Sequence, residues 1–202
     1  SLSQYTLTLT GVGNGQVRVD GTLRALPWSG GFGCGSVVNI EAVPDACYQF
    51  DNWSGDLTGN TSPTSITMDG NKAVTVTFSQ IQYTLDLIGV GDGQVRVNGV
   101  LRALPWSGGF GCGSVVALEA VPDACYQFDD WSGDKTGSAN PTTIAMDGDK
   151  TVTASFSLSQ YTLSLTGVGS GSVRVNGVLR ALPWSGAFSC GTVVGLEAVP
   201  DA

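Results

Sequence analysis

Residues 4–21 read QYTLTLTGVGNGQVRVDG, and they decide how the rest of the chain is interpreted. Tyr5, Leu7 and Leu9 alternate with Thr6, Thr8 and Thr10, a period of two that marks a strand with one buried face. A glycine turn follows at residues 11–15, and Val17, Arg18 and Val19 begin a second strand. Asp20-Gly21 becomes Asn98-Gly99 and Asn176-Gly177 further along. These dipeptides suit a type I′ turn, because both of its central residues take positive φ. A hairpin is therefore predicted, with residues 23–26 as the return strand. Pro27 ends it, since proline cannot donate to the ladder.

The same vocabulary continues outward. Val38, Ile40 and Ala42 alternate with Asn39, Glu41 and Val43 before Pro44 breaks the strand. Tyr48, Phe50 and Trp53 supply aromatic bulk, and Val74, Val76 and Phe78 make a closing strand. The whole set then recurs. Gln4-Tyr5 returns as Gln82-Tyr83 and Gln160-Tyr161, and ALPWSG occupies residues 25–30, 103–108 and 181–186, a spacing of 78. The chain divides into a tail of a preceding repeat (1–3), repeat one (4–81), repeat two (82–159) and an incomplete repeat three (160–202). Because SLSQY opens the chain and reappears at 157–161, it is expected to be a window on a longer array. About six strands per repeat and no helical period predict an all-β tandem array of small antiparallel modules. Only residues 79–82 separate Phe78 from Tyr83, with no Gly/Ser or Pro-rich linker. Stiffly joined modules of one sequence make a stalk or a fibre. An edge left uncovered in repeat three would invite strand addition from another chain, so self-association with copies of the same chain is expected.

Composition narrows the function classes. Charged residues are 13% of the chain, net charge is −8, and histidine is absent. Phosphate contacts need clustered cations, so nucleic acid is not an expected partner. The same scarcity disfavours anionic membranes, and no apolar run reaches the roughly 18 residues of a membrane span. Without histidine no Ser-His-Asp set can form. GVGNGQ and GVGDGQ lack the following helix that a phosphate site needs. Glu41 and Glu119 are expected on an outward strand face, paired with arginines such as Arg18 and Arg24 rather than forming a catalytic carboxylate pair. Neither enzyme activity nor a cofactor or metal is expected. The acids around DNWSGD and DDWSGD do not have EF-hand spacing, and Trp53 and Trp131 within them read as core.

Each full repeat carries YTL(T/D)L near its start, VxxEAVPDACYQFDxWSGD in its middle and a closing segment such as ITMDGNKAVTVTF. As a set these resemble the divergent internalin-B-type (Listeria-Bacteroides-like) repeat of bacterial surface and secreted proteins. The resemblance covers both complete repeats and the front of the third. It implies a secreted or cell-surface location, a role as stalk or spacer, and a β-grasp-like module, with a small sandwich as the alternative. Cys47 stands where that family usually has glycine, and RALPWSGGFGCG is not part of its pattern.

Two features are left as candidate sites. Cys34, Cys47, Cys112, Cys125 and Cys190 recur at fixed places in a low-charge chain and read as a disulfide set. Pairing within repeats gives Cys34–Cys47 and Cys112–Cys125; pairing between neighbours gives Cys47–Cys112 and Cys125–Cys190. Residues 37–43 as a strand span roughly 20 Å, while a disulfide needs Cα atoms within about 7 Å, so the within-repeat bridge is tight but feasible. Both pairings, and free thiols, stay open. Trp28, Trp106 and Trp184 of ALPWSG either plug a contact between repeats or present a platform to a glycan or host protein.

Overall fold

The computed structural model describes residues 3–201, so of the predicted leading tail only Ser3 falls within it. Repeat one forms β1 (Gln4–Val12), β2 (Gly15–Val19), β3 (Thr22–Arg24), β4 (Trp28–Gly33), β5 (Val37–Pro44), β6 (Tyr48–Gly55), β7 (Thr64–Thr67) and β8 (Lys72–Gln80). Repeat two forms β9 (Gln82–Val90), β10 (Gly93–Val97), β11 (Val100–Ala103), β12 (Trp106–Gly111), β13 (Val115–Pro122), β14 (Tyr126–Gly133), β15 (Thr142–Ala145) and β16 (Lys150–Leu158). Repeat three supplies β17 (Gln160–Leu165), β18 (Gly171–Val175), β19 (Val178–Ala181), β20 (Trp184–Ser189) and β21 (Leu196–Pro200). The described residues contain no helix.

Each complete repeat is a small two-sheet sandwich. In repeat one the sheets run β4-β1-β8-β6 and β3-β2-β5-β7; in repeat two they run β12-β9-β16-β14 and β11-β10-β13-β15. Inward residues of both sheets share one core in repeat one: Leu7 and Leu9 from β1, Val17 and Val19 from β2, Val38 and Ile40 from β5, Val74 and Val76 from β8. Two four-stranded sheets closing on a shared core give the small sandwich that the sequence allowed. Pairing is antiparallel except between the first and last strands of a repeat. There β1 runs parallel to β8, from Leu7 opposite Lys72 to Val12 opposite Thr77, and β9 runs parallel to β16.

The hairpin turns are as the dipeptides demand. Asp20 and Gly21 take φ of 46° and 80°, and Asn98 and Gly99 take 48° and 81°. The side chain earns its place twice over, because Asp20 Oδ1 accepts the Asn39 N–H at 2.9 Å and ties the turn to β5. Asn98 Oδ1 does the same for the Ala117 N–H.

Two segments depart from the sequence reading. Residues 28–33, WSGGFG, follow Pro27 with the glycine content of a loop, but they form β4, paired with β1 from Gln4 opposite Gly33 to Leu9 opposite Trp28. The alternation is present, with Trp28, Gly30 and Phe32 half-buried between exposed Ser29, Gly31 and Gly33. Glycines on both faces hid it. The return strand is also shorter than expected, ending at Arg24. In β6, Phe50 and Trp53 are three apart and would point to opposite faces of a regular strand. The register shifts between Phe50 and Asn52, a bulge that leaves Phe50 opposite Phe78 and Trp53 opposite Val76. The two rings then meet at 5.2 Å, and Trp53 is only 2% exposed.

By contacts the chain divides into two compact units. One holds the chain up to Thr84 with Gly109–Ser114 and Met146–Gly148; the other holds Leu85–Gly108, Val115–Ala145 and the chain from Asp149 onward.

Candidate functional site: the seams between repeats

The first unit contains Cys47 and Cys112, and these form a disulfide across 65 residues of sequence. The second contains Cys125 and Cys190, bonded across the same separation. Cys34 is an exposed free thiol. The between-neighbour pairing is therefore the one that forms, and the within-repeat alternative is corrected. The physical reason is the strand between the cysteines. Val37–Pro44 is extended and lies between β2 and β7 in its sheet, which keeps Cys34 and Cys47 at opposite ends of it.

The local backbone prepares each seam. Cys47 and Cys125 take φ of 67° and 70°, the left-handed region that favours glycine. This accounts for the glycine that the family pattern carries at that position. Around the first bond, the Ile81 N–H donates to the Cys47 carbonyl and the Cys112 N–H donates to the Ile81 carbonyl, both at 2.8 Å. Ser159 repeats this arrangement between Cys125 and Cys190. Gln80 Nε2 donates to the Cys112 carbonyl at 3.3 Å. The Gln80 side chain lies against Gly111, where a Cβ would come within 2.8 Å of it. Beside the second seam, the Tyr126 hydroxyl donates to Asp92, whose carboxylate raises the phenol above its ordinary pKa. Sequence reasoning missed Ile81 and Ser159. Their role lies in the backbone, and their side chains do not even resemble each other.

Each ALPWSG tryptophan stacks with an arginine of its own repeat. Trp28 sits over its own repeat, with the Arg24 guanidinium 5.4 Å from the ring centre and Phe32 edge-on at 6.3 Å. A Cβ on Gly30 would lie 2.6 Å from its Cζ2, so the glycine is what admits the indole. Arg102 over Trp106 and Arg180 over Trp184 repeat the stack at 5.4 and 5.7 Å. The signal was present in RALPW, where an arginine precedes each tryptophan by four residues. The indoles are half-buried. In repeat two, Trp106 borders an open groove of about 510 Å³ with Pro105, Asp86, Leu87, Ser107 and Thr151.

The acids have structural partners. Arg18 Nη1 lies 3.4 Å from Glu41 Oε2 with both side chains 42% exposed, and Arg96 with Glu119 matches it. Pairs this wet contribute at most about 1 kcal/mol. Asp56 accepts the Ala73 N–H at 2.7 Å, and Asp51 accepts the Ser79 hydroxyl at 2.7 Å. Asp69 pairs with Lys72 at 2.5 Å, which lowers the Asp69 pKa and raises that of Lys72.

Against known families, the divergent InlB B-repeat domain matches residues 5–82 and again residues 89–160, more than half of the chain. The chain belongs to that family. Curated protein sequences give no match. Among solved structures, the chain is similar to the Bacillus anthracis TIE protein at 10% identity and a TM-score of 0.51; 98% of the chain is covered, and it spans 44% of that structure. That likeness concerns the fold. A weaker one, to the major pilin protein T-13 of Streptococcus pyogenes, has a TM-score of 0.38 at 8% identity, covering 79% of this chain and 98% of that one.

Proposed function

We propose that this chain is a structural module of a bacterial extracellular or cell-surface protein, serving as a stiff stalk or as the subunit of a fibre, with no catalytic role. The observation that carries this reading is the parallel pairing of first and last strands. Because β1 and β8 point the same way, the chain comes into a repeat beside Gly33 and leaves it at the far end of a strand about 30 Å long. A repeat whose entry and exit lie at opposite ends of a strand suits use in tandem; antiparallel first and last strands would return the chain to its starting point. Two disulfides support an oxidising, extracytoplasmic setting. The partners of such a module are neighbouring repeats or copies of the same chain. Inserting or removing one 78-residue repeat should move an epitope tag placed beyond the array outward or inward from the cell surface, stepwise with repeat number. Super-resolution imaging of the tag measures this, and a tag height indifferent to repeat number contradicts the stalk.

The groove beside Trp106 favours a second reading, adhesion to a glycan or host protein, since an indole flanked by Asp86, Ser107 and Thr151 offers an apolar face with polar neighbours. On this reading a glycan array should show binding that Trp106→Ala abolishes. An array with no binder for the unaltered chain rejects it.

A further inference from the structure

The seams define a covalent route through the chain that is much shorter than the chain itself. Tension arriving along residues up to Cys47 crosses the disulfide to Cys112, runs along residues 112–125, and crosses the second disulfide from Cys125 to Cys190. We infer that the oxidised protein is a load-bearing tether in which each internal repeat carries tension through a single strand, here β13, while residues 48–111 and 126–189 lie outside the load path.

β13 is built for that position. Eight of the residues between Cys112 and Cys125 are already in extended strand, Val115–Pro122, at about 3.3 Å per residue against a limit of about 3.6 Å, so pulling yields almost no length. It is also held on both sides. Gly93–Val97 pair along one edge, Thr142–Ala145 along the other, and Val116 and Leu118 are fully buried beneath it. Both ends are pinned beyond the strand. The Gly113 N–H donates to the Met146 carbonyl, and the Met146 N–H donates back to Ser114. At the other end the Asp123 N–H donates to Asp92 and the Tyr126 N–H to Asp123. The extended strand that prevents a bridge within the repeat thus becomes the link between bridges. This inference rests on connectivity alone, so it survives or fails independently of where the protein is displayed and of the stalk reading.

Single-molecule force spectroscopy on the 202-residue chain, held by its two ends, tests it. Each disulfide withholds 65 residues, about 230 Å of contour. The oxidised chain should stop lengthening near 250 Å. Adding a thiol reductant at constant force should release two separate steps of about 230 Å, bringing the total to about 700 Å. In the reduction, an external thiolate attacks one sulfur, a mixed disulfide forms, and the protein thiolate that leaves takes up a proton. A Cys125→Ser chain should stop near 480 Å and show one step. Extension of the oxidised, unaltered chain well beyond 250 Å, or reductant steps of a different size, overturns the load path. Because the unaltered chain gives both readouts, the conclusion does not depend on the variant folding.

Discussion

Reduction of the two seam disulfides is expected to lower the stability of the folded chain by about 4 kcal/mol each. The size follows from the loops they close. In the chain-entropy treatment a 15-residue loop contributes about 3 kcal/mol and a 100-residue loop about 4.7 kcal/mol, and each of these spans 65 residues. Against a typical total of about 5–15 kcal/mol for a domain, losing either bond removes a large share. The check is a urea titration with and without reductant. Cys34→Ser provides the control, since an exposed thiol outside both bonds should leave the midpoint where it was. A midpoint that ignores reductant, or that moves with Cys34→Ser, contradicts the seam pairing.

Trp131→Ala is expected to cost about 3–5 kcal/mol, the range for removing a large aromatic from a well-packed core. Trp131 is 1% exposed, packs on Phe128 at 5.0 Å and donates its indole N–H to the Ala139 carbonyl at 3.0 Å. Truncation opens a cavity and leaves that carbonyl without its donor. The same change at half-buried Trp28 loses partial packing and an arginine stack worth about 0.5–1 kcal/mol at an exposed site. The two variants should therefore differ several-fold in their effect on the denaturation midpoint. Equal effects would mean that the division between core and surface tryptophans is misplaced.

The contrast between these tryptophans shows how legibility varied along the sequence. Trp53 and Trp131 could be assigned to the core from their place in the repeat, although the bulge that turns them inward left no local mark. Trp28 could be given two roles but not a position, because its neighbours Gly30 and Arg24 matter only once β4 lies beside β1. Arginine partners for Glu41 and Glu119 were legible as a class, with Arg18 and Arg24 both eligible; the choice of Arg18 came only from the register of β2 on β5, which sets Arg18 opposite Glu41 while Arg24 stacks on Trp28.

By itself, the sequence determined the all-β class, the I′ hairpins and the family, because each rests on residues close together along the chain: alternation, a dipeptide with positive φ, a motif; the 78-residue period follows from the recurrence of those same motifs. The tertiary structure alone decided that first and last strands run parallel, that WSGGFG is a strand, and that Cys47 bonds Cys112 instead of Cys34. Those outcomes depend on which distant segments become neighbours, and the free energy that selects them comes from the shared core and the sheet ladders, not from any local pattern of residues.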